Sequence, residues 1–433
     1  MYGGAMMRSV DRLHGLIALL PLHLVGPRAR RSFQSLRLRR LVRHAYETVP
    51  YYRSLFDEHG LSPADIQGLE DLQCIPVSTK QDLQEAGVEA RISLPYQGAK
   101  WFERRTSGAT GEPMVIRCTW WEESLVSCLR LKAFWRRGWR PWRKVARVQL
   151  RVGERRAPNW IARLQQSVLR NEGFVDCLLP PAEIADRLRR MQPYLISFLP
   201  GTALEVAEHV RPDDFPGLRL VHLGGETVTP EVIESVGRSF GVPVRQGYAS
   251  HEFGQIAEEC PRSGLLHVLE ESVLLEVLCD GRAAGPGETG RAVGTALHSL
   301  AMPFLRYRLG DLVCVGPPSC SCGWKGMSLV SVAGRESDLL VLPDGRRLHV
   351  FAVVRVFGDA WDWIGRYQVV QERNNAVRLC LRPRRPPSAE EQTGLKRRLQ
   401  QVLGQGVDVE LDLSGDIRRE PSGKFRVCRS LVA

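Results

Sequence analysis

The sequence predicts an α/β protein with a large N-terminal domain, in which helices flank a parallel sheet and a β subdomain follows, and a small α+β C-terminal domain. Between residues 195 and 246, short apolar runs alternate with amphipathic segments, the pattern of a parallel sheet with helices on its faces. After Cys260 the apolar runs are strand-like and separated by Gly and Pro, and after Gly334 three strands precede a helix. We therefore expect a large domain over residues 1–334 and a small one over 335–433.

The elements follow from local patterns taken in chain order. Apolar residues from Leu38 to Val49 share one helical face, and the pattern stops at Pro50. Ser78 and Thr79 can cap a second helix. In the small domain, Ser388 and Glu391 form a capping box before a helix. The other predicted elements are strands at 195–199, 218–223, 242–246, 273–278, 295–300, 312–315, 339–342, 367–371 and 376–381, and helices at 203–210 and 230–240.

Composition excludes several classes of protein. The chain has 433 residues, 43% hydrophobic and 25% charged, which argues against a disordered or fibrous chain. The longest apolar stretch, 15–26, contains Pro21 and His23 and is shorter than the roughly 20 residues that span a bilayer, so we expect no membrane span. No cleavage site follows it, and the eleven cysteines are scattered, so we expect a cytoplasmic protein with reduced thiols.

The charge of the chain favours anionic partners. The formal net charge is +12, which suits nucleotides or acidic surfaces. No nucleic-acid-binding motif accompanies the basic residues, so we do not expect a nucleic-acid partner.

A loop rich in hydroxyl groups is the first candidate site. Residues 106–113 read TSGATGEP, with three hydroxyls and two glycines in the first six positions. Glycines let the backbone approach an anion while hydroxyl and N–H groups donate to it, so the loop suits a polyphosphate. It lacks the Gly-Lys-Ser/Thr of a Walker loop, and a surface turn is the alternative interpretation.

Two polar motifs follow predicted strands, and the carboxyl ends of neighbouring parallel strands border one crevice. The motifs are 224–226 (GGE) and 248–254 (YASHEFG), in which Glu252 could hold Mg²⁺ against phosphates. Asp311 follows a glycine turn, where an acid can accept from ribose hydroxyls, and Lys424 lies in a flexible turn. Each motif alone could be a structural turn, or, for Lys424, a solvated lysine.

Three cysteines and one histidine form a candidate metal site. Cys260, His267, Cys320 and Cys322 offer three thiolates and one imidazole, a closed tetrahedral zinc set of the structural kind. The alternative is four reduced side chains near the surface.

In their order and distances these motifs resemble those of the adenylate-forming superfamily, and most closely its phenylacetate-CoA ligase-like branch. The N-terminal part is similar too, at Tyr46, 49–52, 60–61 and 75–80. The resemblance covers nearly the whole chain, and some similar proteins hold zinc at positions like those of the Cys/His group.

The resemblance implies a role for each motif. Thr106, with the loop that follows it, corresponds to the loop on the β- and γ-phosphates of ATP, and Glu252 to a magnesium ligand. Lys424 corresponds to the lysine that a mobile C-terminal domain brings between the carboxylate and the α-phosphate. Ser337 falls where related proteins commonly have an acidic hinge residue. The nucleotide-binding residues implied are Ser107, Gly108, Thr110, Gly111, Gly224, Gly225, Glu226, Tyr248, Ala249, Ser250, Asp311 and Arg335.

The resemblance also implies an activity. We expect an ATP-dependent carboxylic acid ligase that forms an acyl-adenylate, from an aryl or arylacetic acid, and transfers the acyl group to coenzyme A. A carrier protein, amine or alcohol is an alternative acceptor, in secondary-metabolite or polysaccharide biosynthesis. A degenerate nucleotide-binding protein without turnover is a further alternative. His222 and His251 are candidates to line the acid pocket, and a homodimer could form, as in other proteins of this branch.

Overall fold

The computed structural model describes residues 26–105, 114–150, 171–336, 339–350, 353, 356–415, 417 and 426–432. The chain divides into two compact units, Met1–Val332 and Ala333–Ala433, and the two are described separately. Among the described residues, no helix is both long enough and apolar enough to cross a membrane.

The first unit opens with the predicted N-terminal helix. Helix α1 (Pro27–Thr48) buries Leu38, Leu41, Val42 and Ala45 along one side. It ends before Pro50, which begins helix α2 (Pro50–Glu58). The side chain of Thr79 accepts a hydrogen bond from the backbone of Asp82 and caps helix α3 (Lys80–Glu85), and α4 (Gly87–Ala90) follows.

Five parallel strands form one half of a twelve-stranded sheet. In spatial order the parallel strands are β4, β3, β5, β6 and β7. A separate hairpin, β1 and β2, precedes them and brackets residues 106–113. The bounds are β1 Trp101–Arg105, β2 Val115–Thr119, β3 Val145–Gln149, β4 Glu172–Asp176, β5 Leu195–Phe198, β6 Leu220–Gly224 and β7 Val244–Ser250.

Helices cover both faces of the parallel strands. Helices α6 (Pro181–Met191), α7 (Pro200–Ala207) and α8 (Pro230–Phe240) pack on one face through a continuous apolar cluster. Helix α5 (Trp120–Arg136) lies on the other face, where Phe134 packs with Leu195 and Leu220. The predicted alternation of strands and helices is confirmed, and the bounds of α8 are those predicted.

The other half of the sheet is antiparallel and corresponds to the predicted β subdomain. From β7 its spatial order is β8, β9, β14, β13, β12, β10 and β11. The bounds are β8 Gly254–Glu259, β9 Leu266–Val268, β10 Val273–Cys279, β11 Arg282–Ala283, β12 Thr289–Ala296, β13 Tyr307–Val315 and β14 Ser328–Arg335.

The strand predicted at 295–300 is wrong in its second half. Strand β12 ends at Ala296. The backbone N–H groups of Leu300 and Ala301 donate to Glu122 Oε1 at 2.8 and 2.9 Å instead of to a neighbouring strand. The carboxylate of Glu122 therefore accepts the hydrogen bonds that a neighbouring strand would accept if β12 continued.

The second unit contains a hairpin and a four-stranded sheet in the spatial order β19, β18, β17 and β20. Helix α9 (Ala389–Leu403) begins with the predicted capping box and buries Leu395, Leu399 and Leu403. The strands are β15 Leu339–Val341, β16 Arg347–His349, β17 Ile364–Arg373, β18 Ala376–Pro383, β19 Asp408–Asp412 and β20 Cys428–Ser430. Short 3₁₀ helices occur at Pro63–Asp65, Glu70–Cys74, Leu94–Tyr96, Pro212–Asp214 and Gly358–Asp362.

Candidate functional site

Two motifs predicted to bind the nucleotide meet through a hydrogen bond. The hydroxyl of Tyr248, on β7, donates to Asp311 Oδ2, on β13, at 2.7 Å, although the residues are 63 positions apart. Both side chains are buried, with exposed fractions of 5% and 6%. Because Asp311 is held by the ring expected to stack on adenine, the two form a single preorganised unit.

Glu252 lies next to the same strand. The hydroxyl of Tyr307, on β13, donates to Glu252 Oε1 at 3.4 Å. The turn that presents Glu252 is fixed by the Phe253 N–H, which donates to Ser250 Oγ at 3.1 Å. Sequence reasoning did not assign Tyr307, although its position on the same strand as Asp311 was an available signal.

Arg104 is the second residue that sequence reasoning missed. It lies on β1, just before residues 106–113, and its guanidinium donates to the backbone oxygen of His251 at 3.0 Å and forms an ion pair with Glu123. Burial opposes the charge, but the interactions with Glu123, Cys118 and Glu252 together outweigh it, and the pKa of Arg104 is raised. A half-buried, permanently charged guanidinium therefore lies against the turn that presents Glu252.

A cavity opens beside these groups. The carboxylate of Glu252 and the guanidinium of Arg104 contribute opposite charges to its wall. The lining residues are Arg104, Ile116, Arg117, Cys118, Glu122, Val126, His251, Glu252, His298, Ser299, Met302 and Phe304.

The Gly-Gly-Glu motif occupies the carboxyl end of β6, as predicted from the sequence. Gly225 has φ +85°, a conformation that favours glycine. A Cβ atom at Gly224 would lie 3.2 Å from the backbone oxygen of Gly247 on β7, so the two strands approach closely there. Glu226 Oε2 accepts from the N–H of Gly201, at the start of α7, at 2.8 Å. The carboxylate therefore connects the strand end to the helix.

Several predicted residues cannot be placed in this geometry. Ala249 is exposed and Ser250 half-buried at the end of β7, and Arg335 is an exposed residue at the end of β14, in the second unit. Outside the described residues lie Thr106, Ser107, Gly108, Thr110, Gly111, Ser337 and Lys424.

The cysteine and histidine residues of the predicted metal set come together. The four ligand atoms of Cys260, His267, Cys320 and Cys322 all lie within 4.8 Å of one another. The Sγ atoms of Cys320 and Cys260 are 3.8 Å apart, and Cys322 Sγ is 3.9 Å from His267 Nε2. Burial lowers the pKa of His267 to about 4, which leaves the imidazole neutral. The ring of His267 stacks on Trp324 at 4.8 Å, which fixes its orientation.

The fold has counterparts among solved structures of CoA ligases. A solved structure of 2-hydroxyisobutyryl-CoA ligase with 2-HIB-AMP is 20% identical and aligns with a TM-score of 0.79 over 95% of this chain and 92% of that one. O-succinylbenzoate coenzyme A synthetase from Bacillus subtilis, solved with ATP and magnesium ion, is also 20% identical and aligns with a TM-score of 0.52 over 75% and 68%.

The proteins that are similar in sequence narrow the comparison further than the fold does. Phenylacetate-coenzyme A ligase from Thermus thermophilus is 28% identical over 361 residues, covering 80% of this chain and 79% of the relative. The enzyme of that name from Escherichia coli is 28% identical over 338 residues, covering 74% of each chain. Residues 340–430 match the family model of the CapK C-terminal domain. The predicted resemblance is confirmed: the chain is a homologue of phenylacetate-CoA ligases with the fold of adenylate-forming CoA ligases.

Proposed function

We propose that this protein is an AMP-forming acid–CoA ligase, which activates a carboxylic acid with ATP and transfers the acyl group to coenzyme A. The observation that carries the proposal is the double contact across β7 and β13, Tyr248 with Asp311 and Glu252 with Tyr307. The contacts gather an aromatic ring and two carboxylates around the end of β7. The phenylacetate-CoA ligase relatives support the same activity.

In the first step, a carboxylate oxygen of the acid attacks the α-phosphorus of ATP, and the bond from that phosphorus to pyrophosphate breaks. Asp311 accepts hydrogen bonds from the ribose hydroxyls, and the ring of Tyr248 stacks on adenine. Glu252, an oxygen donor of the kind Mg²⁺ prefers, would hold that ion, and the ion would neutralise phosphate charge. Arg104 adds a fixed positive charge on the same cavity wall.

The phosphate loop and the C-terminal lysine complete the site. The loop from Thr106 to Gly111 binds the β- and γ-phosphates through hydroxyl and N–H groups. Lys424 places its ammonium between the carboxylate and the α-phosphate, where two anions must approach each other. Residues 1–334 form the adenylation domain in this proposal, and residues 335–433 form the domain that carries Lys424.

In the second step, the coenzyme A thiol loses its proton to solvent and its sulfur attacks the acyl carbon, and AMP leaves as the C–O bond of the mixed anhydride breaks. The relatives point to an aryl or arylacetic acid as the default substrate class. A cytoplasmic location is part of the proposal, since none of the eleven cysteines forms a disulfide bond.

Cys260, His267, Cys320 and Cys322 hold a structural zinc ion in this proposal. Zn–S bonds of about 2.3 Å in a tetrahedron place two sulfurs about 3.8 Å apart, the separation between Cys320 and Cys260. Three thiolates and a neutral imidazole leave no open position for a substrate, so the metal would staple β8 and β9 to the 320–322 turn.

The adenylation step is tested by ATP–pyrophosphate exchange with a panel of aromatic, fatty and amino acids. We expect exchange with at least one acid and its loss in Lys424→Ala, while ATP binding measured by calorimetry is retained. Lys396→Ala, an exposed lysine on α9, is the matched control and should exchange normally. Normal exchange by Lys424→Ala would refute the role of that lysine, and absence of exchange with every acid would favour a binding protein without turnover.

The acceptor is tested by AMP release. Coenzyme A should accelerate AMP release from the acyl-adenylate and give the acyl-CoA product by mass spectrometry. Failure of coenzyme A, with acceleration by hydroxylamine or another amine, would favour the alternative acceptors.

The metal is tested by elemental analysis of the purified protein. We expect one zinc per chain, reduced in Cys320→Ser but unchanged in Cys279→Ser, a half-buried cysteine outside the cluster. Zinc-free protein of unchanged thermal stability would refute this site.

A further inference from the structure

Polar side chains are buried beneath helix α5, on the face of the sheet opposite the apolar cluster. On β6, Val221 and Leu223 enter that cluster, so the side chain of His222 points to the α5 face. His222 is 7% exposed and its ring contacts Phe134 of α5 edge to face at 5.6 Å. Glu258, on β8, is 8% exposed and forms an ion pair with Arg137. The residues buried beneath α5 therefore include polar and charged side chains, unlike those of the apolar cluster on the opposite face.

His222 and Glu258 face each other without bonding. His222 Nδ1 lies 3.4 Å from Ser197 Oγ, but Nε2 lies 3.9 Å from Glu258 Oε2, beyond hydrogen-bonding distance. Among the described residues, neither His222 Nε2 nor Glu258 Oε1 has a hydrogen-bond partner. A buried polar atom left unpaired costs about 1–3 kcal/mol, so a group that bonded both atoms would stabilise the pair.

The pair borders the proposed active site. A Cβ atom at Gly247 would lie 2.7 Å from His222 Nε2, so the imidazole sits directly against the backbone that leads into Tyr248. Gly247 pairs with Gly224 of the Gly-Gly-Glu motif. The imidazole edge is thus beside the strand ends where the nucleotide and acid are proposed to meet.

Helix α5 connects the pair to the Glu252 cavity. Glu122 and Val126 line that cavity, and Arg130 and Phe134 continue the same face of the helix at intervals of four residues. This face of α5 therefore runs from the Glu252 cavity to the ring of His222. Burial and the nearby Arg137, Arg147 and Arg130 lower the pKa of His222 well below 6.5, so the ring is neutral and offers one N–H or one lone pair at Nε2.

We propose that the acid substrate carries a hydroxyl or neutral amino group remote from its carboxylate, and that His222 Nε2 and Glu258 bind this group. The inference rests on the proposed ligase function and narrows its substrate class. A hydroxyl placed between the two side chains donates to the carboxylate and bonds the imidazole at its oxygen. An unsubstituted aryl acid would leave both buried atoms unpaired, and sites built to hydrogen-bond a substrate reject the analogue that lacks the group.

The test uses pairs of acids that differ only in that group, such as phenylacetic with 3- or 4-hydroxyphenylacetic acid, and benzoic with hydroxy- or aminobenzoic acids. For each acid, kcat/KM is measured in pyrophosphate exchange. We expect at least one substituted acid to exceed its parent by about tenfold or more. A consistent preference for the unsubstituted parents would overturn the proposal.

Two variants test whether His222 and Glu258 cause the preference for the substituted acid. In His222→Phe and in Glu258→Gln, which keeps the size of the side chain, the ratio of substituted to parent acid should fall toward one. His209→Phe alters an exposed histidine and should keep the wild-type ratio. An unchanged ratio in Glu258→Gln and in every folded His222 variant would overturn the proposal.

The failure of the ligase proposal has a different signature. If no acid supports exchange, the ligase function is refuted. Calorimetric titration of the same acid pairs into the protein with AMP then shows whether His222 and Glu258 bind the hydroxyl or amino group. Tighter binding of a substituted acid, lost in Glu258→Gln, would sustain the pocket, and equal or absent binding of both members of each pair would refute it.

Discussion

The two faces of the parallel strands differ in what they bury. On the face covered by α6, α7 and α8, Val221 and Leu223 join a cluster of aliphatic and aromatic side chains. On the face covered by α5, Leu220 packs with Phe134, but His222, two positions further along β6, lies beside Glu258, which pairs with Arg137. Alternate residues of one strand thus serve packing on one side and polar contacts on the other.

This difference separates stability from function. An apolar face needs only shape and volume, and its free energy comes from burial. The α5 face contains buried polar groups that cost stability and are retained where a ligand can repay the cost. Substitutions on the apolar face should therefore lower the free energy of unfolding, and substitutions on the α5 face should change the enzyme kinetics.

The largest effect is expected on the apolar face. Leu223→Ala removes a fully buried side chain and should lower the free energy of unfolding by about 2–5 kcal/mol. Urea denaturation measures the change. At a temperature where the variant is folded, the KM for ATP and the ratio between paired acids should equal those of the wild type, and a change in either would show that the two faces are coupled.

Glu252→Gln should give the reverse pattern. It removes the charge that holds Mg²⁺ and should lower the rate of pyrophosphate exchange at least about 100-fold, about 2.7 kcal/mol, while urea denaturation is nearly unchanged. Glu231→Gln, at an exposed position on α8, is the control. Exchange within threefold of the wild type would exclude Glu252 as the metal ligand.

Acid pH should lower the free energy of unfolding through a buried histidine, His298. His298 lines the Glu252 cavity, and burial, with Arg37 and Arg104 nearby, lowers its pKa from 6.5 to about 4. Because the folded state favours the neutral ring, its contribution is complete above pH 6.5 and is lost as pH falls toward 4. The slope is about 1.4 kcal/mol per pH unit for one proton.

The variant His298→Asn tests this origin. The amide can donate to Ser272 O, as Nδ1 of His298 does over 3.2 Å, but it does not titrate. Urea denaturation between pH 4.5 and 7 should show a shallower dependence in His298→Asn and the wild-type dependence in the exposed control His209→Asn. Equal slopes in all three proteins would assign the acid sensitivity to other groups.

Local patterns predicted the elements well and the contacts between them poorly. Helices α8 and α9 were predicted because periodicity and capping residues are local signals. The strand predicted at 295–300 was wrong beyond Ala296, because the backbone of Leu300 bonds to Glu122, 178 residues away. Arg104 and Tyr307 were missed for the same reason, since only the tertiary fold brings them to the Glu252 turn.

The smallest effect is expected for Tyr248→Phe. The ring remains available to stack on adenine, and the variant loses only the hydroxyl that donates to Asp311 at 2.7 Å. The lost hydrogen bond should cost about 1 kcal/mol, equivalent to about a fivefold rise in the KM for ATP, with acid preference and kcat unchanged. Asp311→Asn should give a larger rise, because the ribose hydroxyls then lose a charged acceptor. If Tyr248→Phe instead changed the ratio between paired acids, β7 would transmit changes from the nucleotide to the His222 pocket, and the ATP and acid subsites would have to be treated as one cooperative unit.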